Sequence, residues 1–467
     1  MLNMPLTTRE KSMLPNPAFE PLHDDLPVFR AQTPDYALFY APGCVVVADH
    51  GVADALAESI RSDAPVDQWV IALRRQAESA LHDWERQITA PFAPECLTLY
   101  LYNQCNLRCT YCYTGPEHQP DTRLDRAAIG AAAEQVAAHC QAAGLPFTVV
   151  MHGGGEPTLY QDELDAALAV VDQVAQRYGL AQFRYIATNG MLSEARVGWL
   201  VDHFDLIGLS CDGPPQIHDR QRPAAGGQGS SAAVARTAAL LRRAGKPFHV
   251  RATITPETFA QQPDIAAYIC RELAPQEIHF EPVYMGGKTA ADGAFAVSAA
   301  QAFVTHFLAA QAVAQEYGIP LSCSGSRVGA IHGAYCNVFR GVVNLVPPGM
   351  ATACFKLTGE QAVREAGAVM GAFDPAEQRF TLDVPQIHSL RQILSTLPET
   401  CTDCFNRFHC TRGCPDHCPL EASAGETAPG FRCELQKRLA THTIRAAADR
   451  LWHHRMESEH AILGTTG

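Results

Sequence analysis

Between Leu97 and Val283, short apolar runs alternate with helical stretches, and this alternation limits the fold more than any other feature of the chain. The runs Leu97–Tyr102, Phe147–His152, Phe183–Ala187, Leu206–Ser210, Phe248–Ile254 and Ile278–Val283 have the length and composition of strands. Amphipathic, alanine-rich segments such as Asp125–Ala143 and Asp162–Tyr178 lie between them. Six such repeats imply a parallel sheet under helices, an α/β fold curled as an open, partial (β/α)6 barrel. In such sheets function gathers at the carboxyl ends of the strands. The polar motifs fall there: Cys105 follows the first strand, Gly153 the second, Thr188 the third, and Ser210 ends the fourth.

At 467 residues the chain exceeds one ordinary domain. Its net charge of −13 argues against nonspecific nucleic-acid binding, which needs basic patches. No apolar run approaches the roughly 20 residues of a membrane span, and the first 25 residues lack the layout of a secretory signal. The expectation is a cytoplasmic protein with neither nucleic acid nor membrane as partner. Seventeen cysteines in a reducing compartment then point to metal ligation rather than disulfides. Cys44, Cys96, Cys140, Cys211, Cys270 and Cys323 are scattered and read as small buried side chains, whereas Cys105 to Cys112 and Cys401 to Cys418 are dense.

Cys105, Cys109 and Cys112 are spaced C-x3-C-x2-C in the loop after the first strand. Three thiolates fill three irons of a cubane and leave the fourth iron open. S-adenosylmethionine can chelate that iron, and its reduction yields methionine and a 5′-deoxyadenosyl radical. Zinc would want four ligands; an electron-transfer cluster without substrate chemistry is a non-enzymatic reading of the same thiols. The spacing, with Tyr111 before the last cysteine, resembles the radical S-adenosylmethionine superfamily over about residues 95–285. The resemblance implies that Tyr111 packs near the adenine. It implies that Gly154, Gly155, Glu156 and Pro157 receive the ligand's amino group. Thr188, Asn189 and Ser210 resemble the strand-end residues that reach its ribose and methionine portions. Arg222, following His218-Asp219, is expected to hold the methionine carboxylate through its planar fork.

A second field comprises Cys336, Gly349, Cys354, Cys401, Cys404, Cys410, Cys414 and Cys433. Its spacing resembles the SPASM extension, which carries two auxiliary [4Fe–4S] clusters and so implies three clusters in all. By that resemblance Cys336, Cys354 and Cys414 hold the first auxiliary cluster, and Cys401, Cys404, Cys410 and Cys433 the second. An eighth cysteine found in the sulfatase-maturing branch is Ala330 here. Either Cys323 replaces it or an iron stays open. Cys418 is a spare thiol, and CxxC pairs also suit zinc.

Modules of this kind resemble maturases that abstract hydrogen from a peptide or protein and oxidise the product, with flavodoxin or ferredoxin as reductant. A thioether or carbon–carbon cross-link in a ribosomally made peptide is the leading expectation. The other is formylglycine made from Cys or Ser in a sulfatase. In that second branch an aspartate base follows the cysteine matching Cys354, and here Phe355 stands there. Glu281, at the end of the sixth strand, is a candidate catalytic acid or base, or else a salt-bridged carboxylate. The expected units are 1–90 (a β-hairpin with helices, a candidate leader-peptide element), 91–290 (the barrel), 291–330 (a helical linker), 331–440 (the auxiliary-cluster domain) and 441–467 (a helical tail).

Overall fold

The computed structural model describes residues 18–62, 67–115, 121–283, 297–324, 327–334, 336–397, 399–411, 430–456 and 462–466. Cys414 and Cys418 lie outside the described residues.

Strands β1 (Glu20–Pro21), β2 (Phe29–Gln32), β3 (Ala37–Ala41) and β4 (Cys44–Ala48) form an antiparallel meander. The expected hairpin is β3 and β4, turned at Gly43 with φ +82°. One face of the meander buries Leu56, Ile60, Val70 and Leu73 of the helices His50–Arg61 and Gln68–Thr89. The other packs against Ile444 and Ala448 of the long helix Phe431–Met456.

The six expected barrel strands are β5 (Cys96–Leu99), β6 (Phe147–Met151), β7 (Gln182–Thr188), β8 (Leu206–Ser210), β9 (Phe248–Ile254) and β10 (Glu277–Pro282). Each pairs in parallel with the next. The connecting helices begin and end where their chemistry dictates. Asp125 caps Arg126–Ala143 by accepting from the amides of Ala127 and Ala128, and Gly144 ends it with φ +66°. A seventh parallel strand, β11 (Leu321–Cys323), follows the helix Val297–Glu316 and extends the sheet beyond β10.

On the other edge β12 (Val342–Val346) pairs in parallel with β5. It continues through β13 (Met350–Thr352), β14 (Val369–Asp374) and β15 (Arg379–Leu382), all antiparallel, so one eleven-stranded sheet spans both regions. The tail departs from its expected helix. After Met456 the chain forms β16 (Ile462–Thr466), which pairs antiparallel with β4. Among the described residues no helix is long and apolar enough to cross a membrane.

The two faces of the barrel sheet differ. Along β9, Phe248, Val250, Ala252 and Ile254 are buried while His249, Arg251 and Thr253 alternate with them. A parallel sheet packed on both faces is apolar throughout. Polar residues at every second position mark an inner face that borders open space.

Candidate active site

The loop from Cys105 to Cys112 is fastened to its neighbours chiefly by backbone hydrogen bonds. The Arg108 amide donates to the Pro223 carbonyl at 2.8 Å, the Thr110 amide to Gln221 at 2.9 Å, and the Ala225 amide to Asn106 at 2.8 Å. Leu107 bridges Ala224 antiparallel. All three cysteines face a cavity of about 240 Å3 at the carboxyl ends of the strands, together with Tyr111, Gly154, Gly155, Glu156, Thr188, Asn189, Ser210, Arg222 and Glu281. The expected site residues on β5 to β10 and their loops thus meet in one place. Pro157 stands just outside, its carbonyl accepting from the Tyr102 hydroxyl at 2.8 Å.

The glycines fit by necessity. A Cβ on Gly155 would lie 1.8 Å from the Gln104 carbonyl oxygen, and Gly154 has φ +66° with Tyr102 O at 2.7 Å from its would-be Cβ. The Gly155 and Glu156 amides donate to Tyr102 and Gln104, each at 2.9 Å, and so dock this turn on the cysteine loop. Gly155→Ala is therefore expected to cost about 1–3 kcal/mol or more from overpacking against backbone. A thermal midpoint equal to wild type would show that the loop yields instead.

Glu156 is buried and its carboxylate is filled by the protein's own donors. Oε1 accepts from the Thr158 amide at 3.1 Å and from the Thr158 and Thr188 hydroxyls at 2.6 and 2.8 Å, and Oε2 from the Asn189 amide at 2.7 Å. In this structure Glu156 clamps the turn after β6 to the end of β7. Burial raises its pKa, and these four bonds oppose the rise. The Asn189 amide nitrogen in turn reaches Cys105 Sγ at 3.8 Å and Asn106 Oδ1 at 2.7 Å.

Tyr111 and Arg222 meet at Asp212, which is wholly buried. Arg222 Nε lies 3.0 Å from Asp212 Oδ2, and its guanidinium is 5.4 Å from the centre of the Tyr111 ring. The same carboxylate oxygen accepts from the Tyr111 hydroxyl at 2.6 Å and from Gln221 Nε2 at 2.8 Å. Burial alone would raise the pKa of Asp212, but Arg222, followed by His218, holds it below the ordinary range. Asp212 thus fixes the orientation of two expected ligand-binding residues.

Glu281 is the salt-bridged carboxylate of the two sequence readings. Oε1 pairs with Arg432 at 3.0 Å and Oε2 with Arg251 at 3.1 Å and His279 Nε2 at 3.2 Å. Burial would raise its pKa; the His279 bond, Arg251 and Arg432 outweigh burial and hold it far below the carboxylate range. A carboxylate held this way positions its neighbours and is a poor proton acceptor.

Burial pushes the Cys105 thiol up to about 11 and the Cys109 thiol up to about 12. Thiolates there call for nearby positive charge, which a bound metal supplies. Among the described residues no three His, Cys, Asp or Glu side chains form a group that could hold one metal ion. In the second field, Cys433, Cys404 and Cys401 all act on Lys437, whose pKa they raise against its burial. Cys336 precedes the short helix Asn337–Arg340 and Cys354 follows β13. Among the described residues, the charged groups that act on Cys323 are Glu281, Arg432 and Arg251.

Sequence reasoning passed over His152, Arg251 and Tyr100 as site residues. His152 and Arg251 line the cavity. The Tyr100 hydroxyl donates to the Phe355 carbonyl at 2.7 Å. Arg251 was signalled by its place among the alternate polar positions His249, Arg251 and Thr253 of β9.

The site's geometry agrees with comparisons to known proteins. Residues 99–269 match the family described as the Radical SAM superfamily. The chain is 27% identical over 167 residues to the cysteine-type anaerobic sulfatase-maturating enzyme of Clostridium perfringens, covering 33% of this chain and 42% of that protein. It is 27% identical over 191 residues to the serine-type enzyme of Klebsiella aerogenes, covering 40% of this chain and 46% of that protein. It therefore spans less than half the length of these curated relatives. A solved structure of native anSMEcpe with bound AdoMet shares the fold, with a TM-score of 0.58 at 18% identity over 78% of this chain and 99% of that one.

The chain carries a radical SAM domain built as an α/β partial barrel. That domain implies one [4Fe–4S] cluster and S-adenosylmethionine, and the donor set and glycine turn described above fit both.

Proposed function

We propose that the chain is a radical SAM maturase that abstracts hydrogen from a peptide or protein and leaves an oxidative modification. The specific reading is a thioether or carbon–carbon cross-link in a ribosomally made peptide. The observation that carries it is the backbone-fastened loop of Cys105, Cys109 and Cys112 facing Gly154 and Gly155 across one cavity. When bound, the cluster supplies the electron that cleaves S-adenosylmethionine and hence the radical that takes the hydrogen.

The chain's own residues hold and orient. The three thiolates would ligate the cluster, and Tyr111 would face the adenine. Gly154 and Gly155 would present backbone to the ligand's amino group, beside Glu156 and Pro157. Thr188, Asn189 and Ser210 would border its ribose and methionine portions. Arg222, steadied through Nε by Asp212, would turn its terminal nitrogens to the carboxylate.

Two further [4Fe–4S] clusters are proposed on the second cysteine field. Cys336, Cys354 and Cys414 would hold one, and Cys401, Cys404, Cys410 and Cys433 the other. The shared influence of Cys401, Cys404 and Cys433 on Lys437 supports the second grouping. A flavodoxin or ferredoxin would supply electrons. A leader segment would find the edges of the N-terminal sheet at β1 and at β16 among the described residues.

A peptide substrate is supported by the relatives, which are named for maturing sulfatases, and by anSMEcpe, solved with a Cp18Cys peptide. Those names also favour a second reading, formylglycine formation. Against it, Phe355 stands where that branch has its base, its ring edge-on to Tyr113 at 6.3 Å.

Anaerobic reconstitution is expected to give about twelve irons per chain; a count near four removes the auxiliary clusters. Co-expression with any short peptide found encoded beside the gene, followed by mass spectrometry, tests the product. Loss of two hydrogens with sulfur retained and no aldehyde marks a cross-link. An aldehyde that takes a hydrazide label marks formylglycine and overturns the specific reading.

A further inference from the structure

Neither His218 nor Asp219 lines the cluster cavity, yet the pair stands just before the arginine that does. The segment from Gln221 to Pro223 has two attachments. Its middle residue, Arg222, lines the cavity. The carbonyls on either side, of Gln221 and Pro223, accept from the amides of Thr110 and Arg108, which flank Cys109, at 2.9 and 2.8 Å. The placement of this one segment therefore sets where the arginine stands relative to the cysteine loop.

The Arg222 carbonyl itself ends a buried chain of hydrogen bonds. The Ser230 hydroxyl donates to it at 2.6 Å. The same hydroxyl oxygen lies 3.0 Å from His218 Nε2, and His218 Nδ1 accepts from the Asp212 amide at 3.2 Å. A backbone amide can only donate, so Nδ1 carries no proton and the neutral imidazole keeps its hydrogen on Nε2. Ser230 then accepts from His218 and gives its own hydrogen to Arg222. Burial lowers the His218 pKa to about 4, against the pull of Asp212, so the ring stays neutral at ordinary pH. Asp212, His218 and Ser230 are fully buried, where a bond left unmade is costly. Asp212 also closes the circuit, its carboxylate lying 3.0 Å from Arg222 Nε. Arg222 is thus held at both ends, by Ser230 on its carbonyl and by Asp212 on its side chain.

Asp219 fixes Ser230 from the other side. Its Oδ1 accepts from the amides of Ser230 and Ser231 at 2.8 and 2.7 Å, and its Oδ2 from the Ser231 hydroxyl at 2.9 Å. A Cβ on Gly229 would lie 2.5 Å from this carboxylate, so the chain passes close against it. His218 holds the Ser230 side chain and Asp219 its backbone. Both halves of the pair converge on one serine.

We propose that His218 and Ser230 are positioning residues for S-adenosylmethionine. Through the Arg222 carbonyl they keep the guanidinium where it meets the ligand's carboxylate, in fixed relation to the loop of Cys109. This rests on the reading of Arg222 as the carboxylate's partner.

The test is equilibrium dialysis of the reconstituted full-length protein, without reductant, against S-adenosylmethionine, S-adenosylhomocysteine and methylthioadenosine. The last of these lacks the amino-acid arm. Ser230→Ala is expected to weaken the two arm-bearing ligands about tenfold and methylthioadenosine less than about twofold. His218→Asn keeps an acceptor for the Asp212 amide but is too short to reach Ser230, and should give the same pattern. Ser230→Thr keeps the hydroxyl and is expected to bind within about threefold of wild type. In 5′-deoxyadenosine formation with dithionite, Ser230→Ala should raise KM for S-adenosylmethionine about tenfold and change kcat by less than about threefold. A lower kcat in step with lost iron, at unchanged KM, marks a merely structural pin and overturns the proposal. Equal weakening of all the ligands does so too, as does wild-type affinity in whichever of Ser230→Ala and His218→Asn keeps its iron. Arg222→Lys checks the underlying reading. Wild-type binding of both arm-bearing ligands by that variant removes the carboxylate assignment and the relay with it. Weakened binding there, with none in the Ser230 and His218 variants, removes the relay alone.

Discussion

Alanine at Cys105, Cys109 and Cys112 together is expected to abolish 5′-deoxyadenosine formation and to lower the iron content by about four per chain. The effect should fall on chemistry and not on folding. The loop is held by the amides of Arg108, Thr110 and Ala225 and by the Leu107–Ala224 bridge, none of which uses a thiol. The variant should thus keep its secondary structure and any iron that the second cysteine field holds. The measurement is anaerobic incubation with dithionite and S-adenosylmethionine, followed by chromatography of the nucleoside product. Cleavage at the wild-type rate would remove the radical role of this loop. Loss of all iron would mean that the loop supports the second field structurally.

Arg432→Met is expected to destabilise the protein by about 3–5 kcal/mol, because it removes one partner of a buried ion pair and leaves the other in place. Arg432 and Glu281 side chains are 5% and 3% exposed. Arg432 also donates to the Pro282 and Val283 carbonyls, so the helix Phe431–Met456 is fastened to the end of β10 through this one side chain. In Arg432→Met, Arg251 and His279 would still hold the carboxylate. Adding Glu281→Gln is therefore expected not to recover the loss, since the carboxylate still has two partners and its removal would take one from Arg251 and His279. The pH dependence follows from the depressed pKa of Glu281. A depressed carboxylate contributes stability above its unfolded pKa, so the contribution is complete at neutral pH and is lost as pH falls through the folded value. Urea titration of the anaerobic holoprotein at neutral and acid pH measures both effects. A single variant within about 0.5 kcal/mol of wild type would show that the pair is dispensable.

The barrel strands were legible because each is a short apolar run that ends on a motif. The reading ran too far in the first of them. It carried the strand to Tyr102, whereas the ladder stops at Leu99 and the chain leaves to build the cysteine loop, with Tyr102 bridging Arg123. Several strands escaped it, β1, β2, β14 and β15 among them, and two of the others show why. Leu321–Cys323 is three residues long and has no periodicity to detect, and Ile462–Thr466 is defined by its partner β4, hundreds of residues away. The cysteines and glycines of the site were legible because spacing and backbone geometry are local. Asp212 as the organiser of Tyr111 and Arg222 was not, because Tyr111 reaches it from a loop about a hundred residues earlier in the chain. Nor was the gathering of Arg251, Arg327 and Arg340 on one cavity wall: Arg327 lies in irregular chain after β11, Arg340 ends the short helix Asn337–Arg340, and only the folded sheet brings them to Arg251.

One feature of the sheet bears on electron transfer. Strand β12 shares its ladder with β5, and beyond those strands the Tyr100 hydroxyl grips the Phe355 carbonyl while Asn103 Nδ2 donates to the Thr358 carbonyl at 3.0 Å. Cys105 and Cys354 therefore hang from the same hydrogen-bonded frame and not from two independently moving units. Tunnelling rates fall steeply with the gap between redox centres, and thermal motion of a hinge would make that gap fluctuate. Here the rungs act as a ruler: electron exchange between a centre on the first loop and one at Cys354 would run at a spacing set by strand register, indifferent to how the substrate moves the rest of the chain.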